Sequence, residues 1–342
     1  MSKSDVEQSS DSEGNDATAA TKPTLWQRFK AHMKKWWWVY LIAFIVIVLV
    51  TVLPIIYVGI PHFANKYIND YDYDYTGLVI SNPRPTAFHV KQKKLMNMGG
   101  GFSGSGHLSA FNASIRVPDT DEEFAVFPVP QIDFNGGATL DIDQDLDLSC
   151  VDCLADIAVK AATNKSFAVL ATGHPDLKLG ALPTAHLNIH KTLDMNGYNV
   201  TEFVNENGAF NVTSLDLLDP PVNGYNFNAT ISVRNPTPFS VEMGHVTFNL
   251  TMGGDELGYV DLPNLKLEEN ISDNIVLGNV DKSKLIQEAL LGDGTGATVT
   301  IGVRGHSCDY NGQDIPYFSA AIRAVSANAT IDLLNYASSL LG

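Results

Sequence analysis

Positive charge is scarce in this chain. Lys and Arg total 22 against 38 Asp and Glu, a formal net charge of −16. Residues 1–35 hold six basic residues (Lys3, Lys22, Arg28, Lys30, Lys34, Lys35) and five acidic ones (Asp5, Glu7, Asp11, Glu13, Asp16), net +1, so the rest carries −16 − 1 = −17. A field of that sign argues against a nucleic-acid partner and against electrostatic docking on anionic lipid. Signatures of catalysis are thin as well. Counted from Gly101, Ser103 fits a nucleophile elbow but Ser105 stands where its last glycine belongs. Gly99, Gly101 and Gly104 satisfy G-x-G-x-x-G, but no helix start follows in the sequence, so a flexible loop is expected rather than a phosphate cradle. His186 and His190 lie four apart in strand-like sequence, about 13 Å by strand rise, too far to share a metal. No catalytic residue, cofactor or metal ligand is expected. Paired acids from distant segments keep a hydrolase as the lesser alternative.

What is present is a run of twenty-five uncharged residues, 36–60, WWWVYLIAFIVIVLVTVLPIIYVGI. About 20 apolar residues span a bilayer core, so this run is expected to cross a membrane once. It is too long for the apolar core of a signal peptide and lacks an A-x-A-like exit. Arg28, Lys30, Lys34 and Lys35 crowd its N-terminal side, whereas Asp70, Asp72 and Asp74 follow Lys66 on the far side. Basic residues stay cytosolic, so a type II orientation is expected, with the N-terminus cytosolic and the C-terminal region lumenal. Trp36, Trp37, Trp38 and Tyr40 form the cytosolic aromatic belt and Tyr57 marks the other interface. Pro54 is a candidate kink. Residues 1–24 are too polar to fold and are expected to be a disordered tail. Residues 25–35 alternate apolar and basic positions, the pattern of an amphipathic juxtamembrane segment on an anionic leaflet.

Eight Asn-x-Ser/Thr sequons occur, at Asn112, Asn164, Asn199, Asn211, Asn228, Asn249, Asn270 and Asn328, all beyond the apolar run. Chance gives roughly three, and the excess fits a glycosylated lumenal region. The three cysteines are Cys150, Cys153 and Cys308. In an oxidising lumen the C-x-x-C pair reads as a local disulfide. Cys308 is open to being free, to pairing with either of the others across the chain, or to joining His306 in a zinc site that lacks a fourth ligand. Asp141, Asp143, Asp145 and Asp147 alternate with apolar residues and Gln144, which predicts a strand with one acidic, solvated face rather than a calcium loop, since Leu146 stands where an EF-hand needs glycine.

The lumenal part repeats itself. Val79–Pro85 with its Asn82-Pro83 resembles 231–238 with Asn235-Pro236, Pro130 matches Pro263, and 167–173 matches 299–305. The offsets are 235 − 82 = 153 at the Asn-Pro site and 263 − 130 = 133 at the second, which implies about twenty extra residues in the first copy. Short alternating runs between turn residues favour antiparallel strands. Each copy also carries one helical run, near 151–162 and 281–291, the second capped by Asp281. The expected fold is mainly β: one N-terminal transmembrane helix, then two tandem antiparallel β-sandwich modules, 76–194 and 222–333, each with a short helix. They are joined by a link at 194–222 containing Pro220-Pro221. Separate cores and a small mutual interface are expected, and a single merged sheet would overturn the duplication argument.

On these carriers — the two Asn-Pro turns, the two mid-module prolines and the two helices — the chain resembles the late-embryogenesis-abundant type 2 (WHy) β-sandwich. It is similar, more closely, to fungal single-pass vacuolar or secretory membrane proteins with such modules in the lumen. The resemblance implies a non-enzymatic protein with a scaffolding or regulatory binding role at an organelle membrane, the vacuolar membrane first, with another endomembrane or the plasma membrane as alternatives; a lumenal protein partner or a lipid is expected. The alternative is binding or transfer of a lipid or other apolar ligand. An apolar cleft beside Ile157–Val159 or Ile286–Leu290 would favour that alternative.

Overall fold

The computed structural model describes residues 25–70, 76–96, 105–135, 137–203, 209–291 and 298–332. The N-terminal helical unit and the body from Ile56 onward are separate compact units. In the first, α1 (Leu25–Pro54) contains one non-helical residue, Trp36 (φ −115°), where the basic segment meets the apolar run. A π-turn, Ile55–Gly59, directly follows Pro54, the proline having removed a helical N–H. Within His32–Asp70 lies a helix long and apolar enough to cross a membrane. Trp36, Trp37, Trp38, Tyr40 and Tyr57 are all exposed on it. The tail 1–24 and the Gly-rich loop at 99–104 lie outside the described residues.

The body opens with α2 (Ile60–Asp70), then β1 (Leu78–Arg84), β2 (Ala87–Met96), β3 (Ser105–Leu108), β4 (Phe111–Arg116), β5 (Glu123–Val129), β6 (Ile132–Asn135), β7 (Ala138–Asp147) and α3 (Val151–Thr163). The first repeat ends with β8 (Ser166–Gly173), β9 (Asp176–Leu179), β10 (Ala185–His186), β11 (Ile189–Asn196) and α4 (Val200–Phe203). The second runs β12 (Phe210–Val222), β13 (Tyr225–Asn235), β14 (Phe239–Met252), β15 (Asp255–Leu267), β16 (Asn270–Val280), α5 (Lys282–Leu291), β17 (Thr298–Tyr310), β18 (Gln313–Asp314), α6 (Pro316–Ala324) and β19 (Ser326–Asp332). The mainly β prediction is met.

The ladders duplicate. In the second repeat β12 pairs β13, β13 pairs β16, β16 pairs β15, β15 pairs β14, β14 pairs β17 and β17 pairs β19, all antiparallel. In the first, β1 pairs β2, β2 pairs β7, and β7 pairs β6. The next positions are taken by broken strands: β3–β4 against β6–β5, then against β9–β8, then β10–β11. This order matches β1 with β12 and β2 with β13. The Asn82-Pro83 and Asn235-Pro236 sites are therefore not equivalent, which corrects the twenty-residue insertion. What intervenes between β2 and β3 is the segment 97–104. Pro220-Pro221 belongs to strand β12, so the second module begins at 210, not 222, and the link is shorter than 194–222. α4 and α6 add to the single helix expected per module.

The expectation of separate cores fails. β1 pairs in parallel with β14 (Leu78–Ile80 against Phe239–Val241), which joins the repeats into one fifteen-stranded sheet beside a four-stranded one. Ile315 and Tyr317 of the second repeat lie in a cluster with Phe88, Val90, Leu140, Ile142 and Leu146 of the first. Phe167 and Met195 pack in turn on the second repeat's core around Val246, Leu262 and Val276. The merged sheet is the outcome that overturns the duplication argument as drawn from the sequence, and the shared clusters rule out independently cored modules; what the two halves retain is a matching ladder order.

Two-residue turns explain the long hairpins of the second repeat. Asn223-Gly224 and Gly253-Gly254 have positive φ at both positions, the geometry whose twist matches paired strands. Asp281 caps α5, its Oδ1 accepting from Ser283 N (3.0 Å) and Lys284 N (3.3 Å). Leu285 of its apolar stripe is buried; the side chains of Ile286, Ala289 and Leu290 lie outside the described residues.

Candidate functional site

Side chains from both repeats converge at the seam between them. Beside the β1–β14 pair, Glu242 accepts from Asn82 N (3.1 Å), meets Lys266 Nζ (3.0 Å) and accepts from Tyr310 Oη (3.5 Å). Burial pushes the Glu242 carboxyl up, but these donors together hold it below the usual range. Tyr317, 1% exposed, donates to the carbonyls of Arg84 (3.2 Å) and Ala87 (3.1 Å) across the β1–β2 hairpin. Burial raises its hydroxyl pKa. At the far end Tyr198 Oη donates to Asn235 Oδ1 (3.1 Å), and the Arg234 guanidinium stands 5.6 Å from the centre of the Phe203 ring.

Next to the seam the acidic face of β7 is not simply solvated. Register sets it against a basic row on β2: Lys93 opposite Asp141, Lys91 opposite Asp143, His89 opposite Asp145. Lys93 Nζ lies 3.0 Å from Asp141, Lys91 Nζ 2.8 Å from Asp143, and Arg84 Nη2 2.9 Å from Asp145. His89 is held at both ring nitrogens, Nδ1 2.9 Å from Asp145 and Nε2 3.1 Å from Asp143. The Lys91 hydrogen bond depresses the Asp143 carboxyl pKa, and those from His89 and Arg84 depress that of Asp145. A second histidine stands between two carboxylates but is hydrogen-bonded at one nitrogen. His245 Nδ1 is 2.7 Å from Asp309, and its Nε2 is 3.5 Å from Asp261. Asp261, 7% exposed, accepts from Tyr225 Oη (2.8 Å) at Oδ2, while its buried Oδ1 has no hydrogen-bond partner. Among the described residues no group of three or more His, Cys, Asp or Glu could hold a metal ion.

The remaining sequence candidates are scattered. Asn112, Asn164, Asn211, Asn249, Asn270 and Asn328 are exposed, and Asn199 and Asn228 are half-buried. Cys150 and Cys153 form a disulfide, and Cys308 is a free, fully buried thiol whose pKa burial pushes up to about 12. His186 pairs with Asp176 (2.6 Å), and a break in the strand separates it from His190. An open groove of about 610 Å³ is lined by Phe111, Asn112, Pro128, Pro130, Ile142 and Asp143, among others. Its lining does not include Ile157, which α3 buries against Val169 and Phe124.

Sequence reasoning missed one docking device altogether. On α2, Asn65 Oδ1 accepts from Asn188 N (2.6 Å) and Asn69 Oδ1 from His190 N (2.9 Å), and Asn69 Nδ2 donates to Asn188 O (3.1 Å). Spaced four apart on one helix face, the two amides stand in for a neighbouring strand along the β10–β11 edge. Ala64 and Ile68 pack beneath on Leu177 and Leu187. The Asn65-x-x-x-Asn69 spacing was the available signal.

A family model described as "Protein of unknown function (DUF3712)" matches residues 122–250, from β5 into β14. No curated protein matches the chain. Among solved structures, the chain is similar to the secreted serine protease VesC from Vibrio cholerae, at 10% identity and a TM-score of 0.16, covering 64% of this chain and 47% of that one. The chain thus spans about half the length of that protein. It is also similar to the CupB6 tip adhesin from Pseudomonas aeruginosa, at 8% identity and a TM-score of 0.12, covering 77% of this chain and 94% of that one. Likenesses at those scores carry no argument about fold or activity.

Proposed function

We propose that the chain is a non-enzymatic, single-pass membrane protein whose glycosylated C-terminal body faces the lumen of a vacuole-type organelle and acts as a scaffold for a lumenal protein partner. The observation that carries this reading is the continuous sheet across the β1–β14 seam, locked by Tyr317 and Glu242. A fused body fixes the spacing between two module faces, which suits the presentation of surfaces to a partner better than independent motion on a linker would. The eight sequon asparagines, none of them buried, support a sugar-bearing lumenal surface. The resemblance to late-embryogenesis-abundant type 2 modules belongs to the same proposal.

Native mass spectrometry of detergent-extracted protein tests the reading. A stoichiometric protein partner is the expected result. A co-purifying lipid in its place would move the function to apolar-ligand binding, with the groove beside Phe111 and Ile142 as its first candidate site. Endoglycosidase treatment should lower the mass in several steps, and protease protection in sealed vesicles should spare the body while leaving the N-terminal tail open to digestion.

A further inference from the structure

The Cys150–Cys153 disulfide stands in a setting that a merely structural crosslink does not need. Cys150 occupies the N-cap of the thirteen-residue helix α3, and its Sγ accepts from the backbone N–H of Cys153 (3.1 Å). Cys150 is half-exposed, whereas Cys153 is 6% exposed and packs among Val117, Phe124, Ala125 and Ile157. The exposed Glu122 carboxylate approaches from the loop before β5, with Oε2 3.6 Å from Cys153 Sγ. The two sulfurs are thus unequal. One is accessible and faces a donor that stabilises a thiolate, and the other is enclosed beside a group able to carry a proton.

We infer that Cys150–Cys153 is a thiol–disulfide exchange site, with Cys150 as the attacked sulfur, Cys153 as the leaving sulfur and Glu122 as its proton carrier. A thiolate of a small thiol, R–S⁻, attacks Cys150 Sγ. The Cys150–Cys153 bond breaks, and its electron pair goes to Cys153 Sγ, which takes a proton by way of the Glu122 carboxyl. The product is the mixed disulfide R–S–S–Cys150. A second R–S⁻ attacks the R sulfur of that mixed disulfide, and Cys150 departs as a thiolate held by the Cys153 N–H. In sum, two thiolates are oxidised to R–S–S–R and the protein disulfide is reduced to a dithiol. R–S–S–R reverses both steps. The site goes beyond the scaffolding reading and does not depend on it.

The test uses full-length protein in detergent with glutathione as the probe thiol, followed by acid quenching, alkylation and peptide mass mapping. In the wild-type protein the disulfide should open while the fold persists, with glutathione found on Cys150. Between single-cysteine variants, Cys150 in Cys153→Ser should react at least about 10-fold faster with oxidised glutathione than Cys153 does in Cys150→Ser. Glu122→Gln should slow opening of the wild-type disulfide about 10-fold. Buried Cys308 should stay unlabelled and report that the protein remains folded. A disulfide that excess glutathione leaves closed in folded protein, glutathione found on Cys153, equal rates for the two variants, or a Glu122→Gln rate equal to wild type would each overturn the proposal. Mixed-disulfide mapping on unsubstituted protein keeps the test valid should a serine variant fail to fold.

Discussion

The two repeats share one ladder order but differ in how their strands turn a corner. In the second, strands β13 to β17 run 11 to 14 residues each without a break, with α5 between β16 and β17. In the first, four strands break along one line: at Ser109-Ala110, Pro130-Gln131, His174-Pro175 and Leu187-Asn188. The broken ends are tied by Ser109 N to Asp176 O and Leu187 N to Pro175 O, both 2.9 Å or shorter. Pro130 and Pro175 lack an N–H, so the ladder cannot continue through them, and the sheet folds over into a second, four-stranded layer. Pro263, the counterpart of Pro130, sits at a bulge instead, between the Gly244–Leu265 and Val246–Leu262 pairs, and Gly244 (φ +93°) beside it lets the strand bend without ending. One proline at one repeat position thus ends a strand in the first copy and only bends it in the second, according to whether the opposing strand can absorb the extra residue.

The sharpest way to break this pairing of unlike halves is through Tyr317. Tyr317→Ala empties a buried aromatic site in the first repeat's core from an element of the second. A loss of about 3–5 kcal/mol is expected, and calorimetry should show one wild-type transition separating into two. Tyr317→Phe keeps the ring and removes the one hydroxyl proton shared between the Arg84 and Ala87 carbonyls, for a loss of about 1–2 kcal/mol with a single transition retained.

Close backbone contacts come next. A Cβ on Gly305 would stand 1.8 Å from Ile322 O, and one on Gly106 2.3 Å from Lys178 O. Each alanine should cost about 1–3 kcal/mol. By hydrogen exchange, Gly305→Ala should loosen α6 and with it both repeats, whereas Gly106→Ala should loosen only the edge β3–β9–β10. Equal and global loosening would contradict the asymmetry.

Acid should separate the halves more gently. Asp143 and Asp145 have depressed pKa values in the folded chain, so their contribution is present above the unfolded value near 3.8 and is lost as pH falls through the lower folded values. An Asp143→Asn, Asp145→Asn double variant should therefore lie below wild type in melting temperature at pH 6 and converge on it toward pH 2. Convergence at pH 6 already would mean that the β2–β7 charge rows contribute nothing. The smallest effect belongs to Lys93→Ala, which removes a pair exposed to solvent on both sides. Its melting temperature should match wild type within error.

Much of this was legible along the chain, because local chemistry dictates it. A run of twenty-five uncharged residues, period-two alternation in β7, the Asp281 cap and the Cys150–Cys153 spacing each act over a few residues and need no partner to be recognised. The basic row of β2 that answers the acids of β7 was written in Lys91 and Lys93, but only register decides that they face Asp143 and Asp141. The Asn-Pro likeness misled because it matches turn chemistry, which recurs wherever a strand must stop, and not strand order. What the sequence alone determined, then, is an N-terminal apolar helix, a β-rich acidic body and a doubled motif. Only the tertiary structure decided that the copies fuse through β1 and β14 and share cores through Tyr317, Phe167 and Met195. Pairing between strands about 160 residues apart is chosen by which edges and apolar faces remain uncovered once each repeat has folded, and no local pattern carries that information.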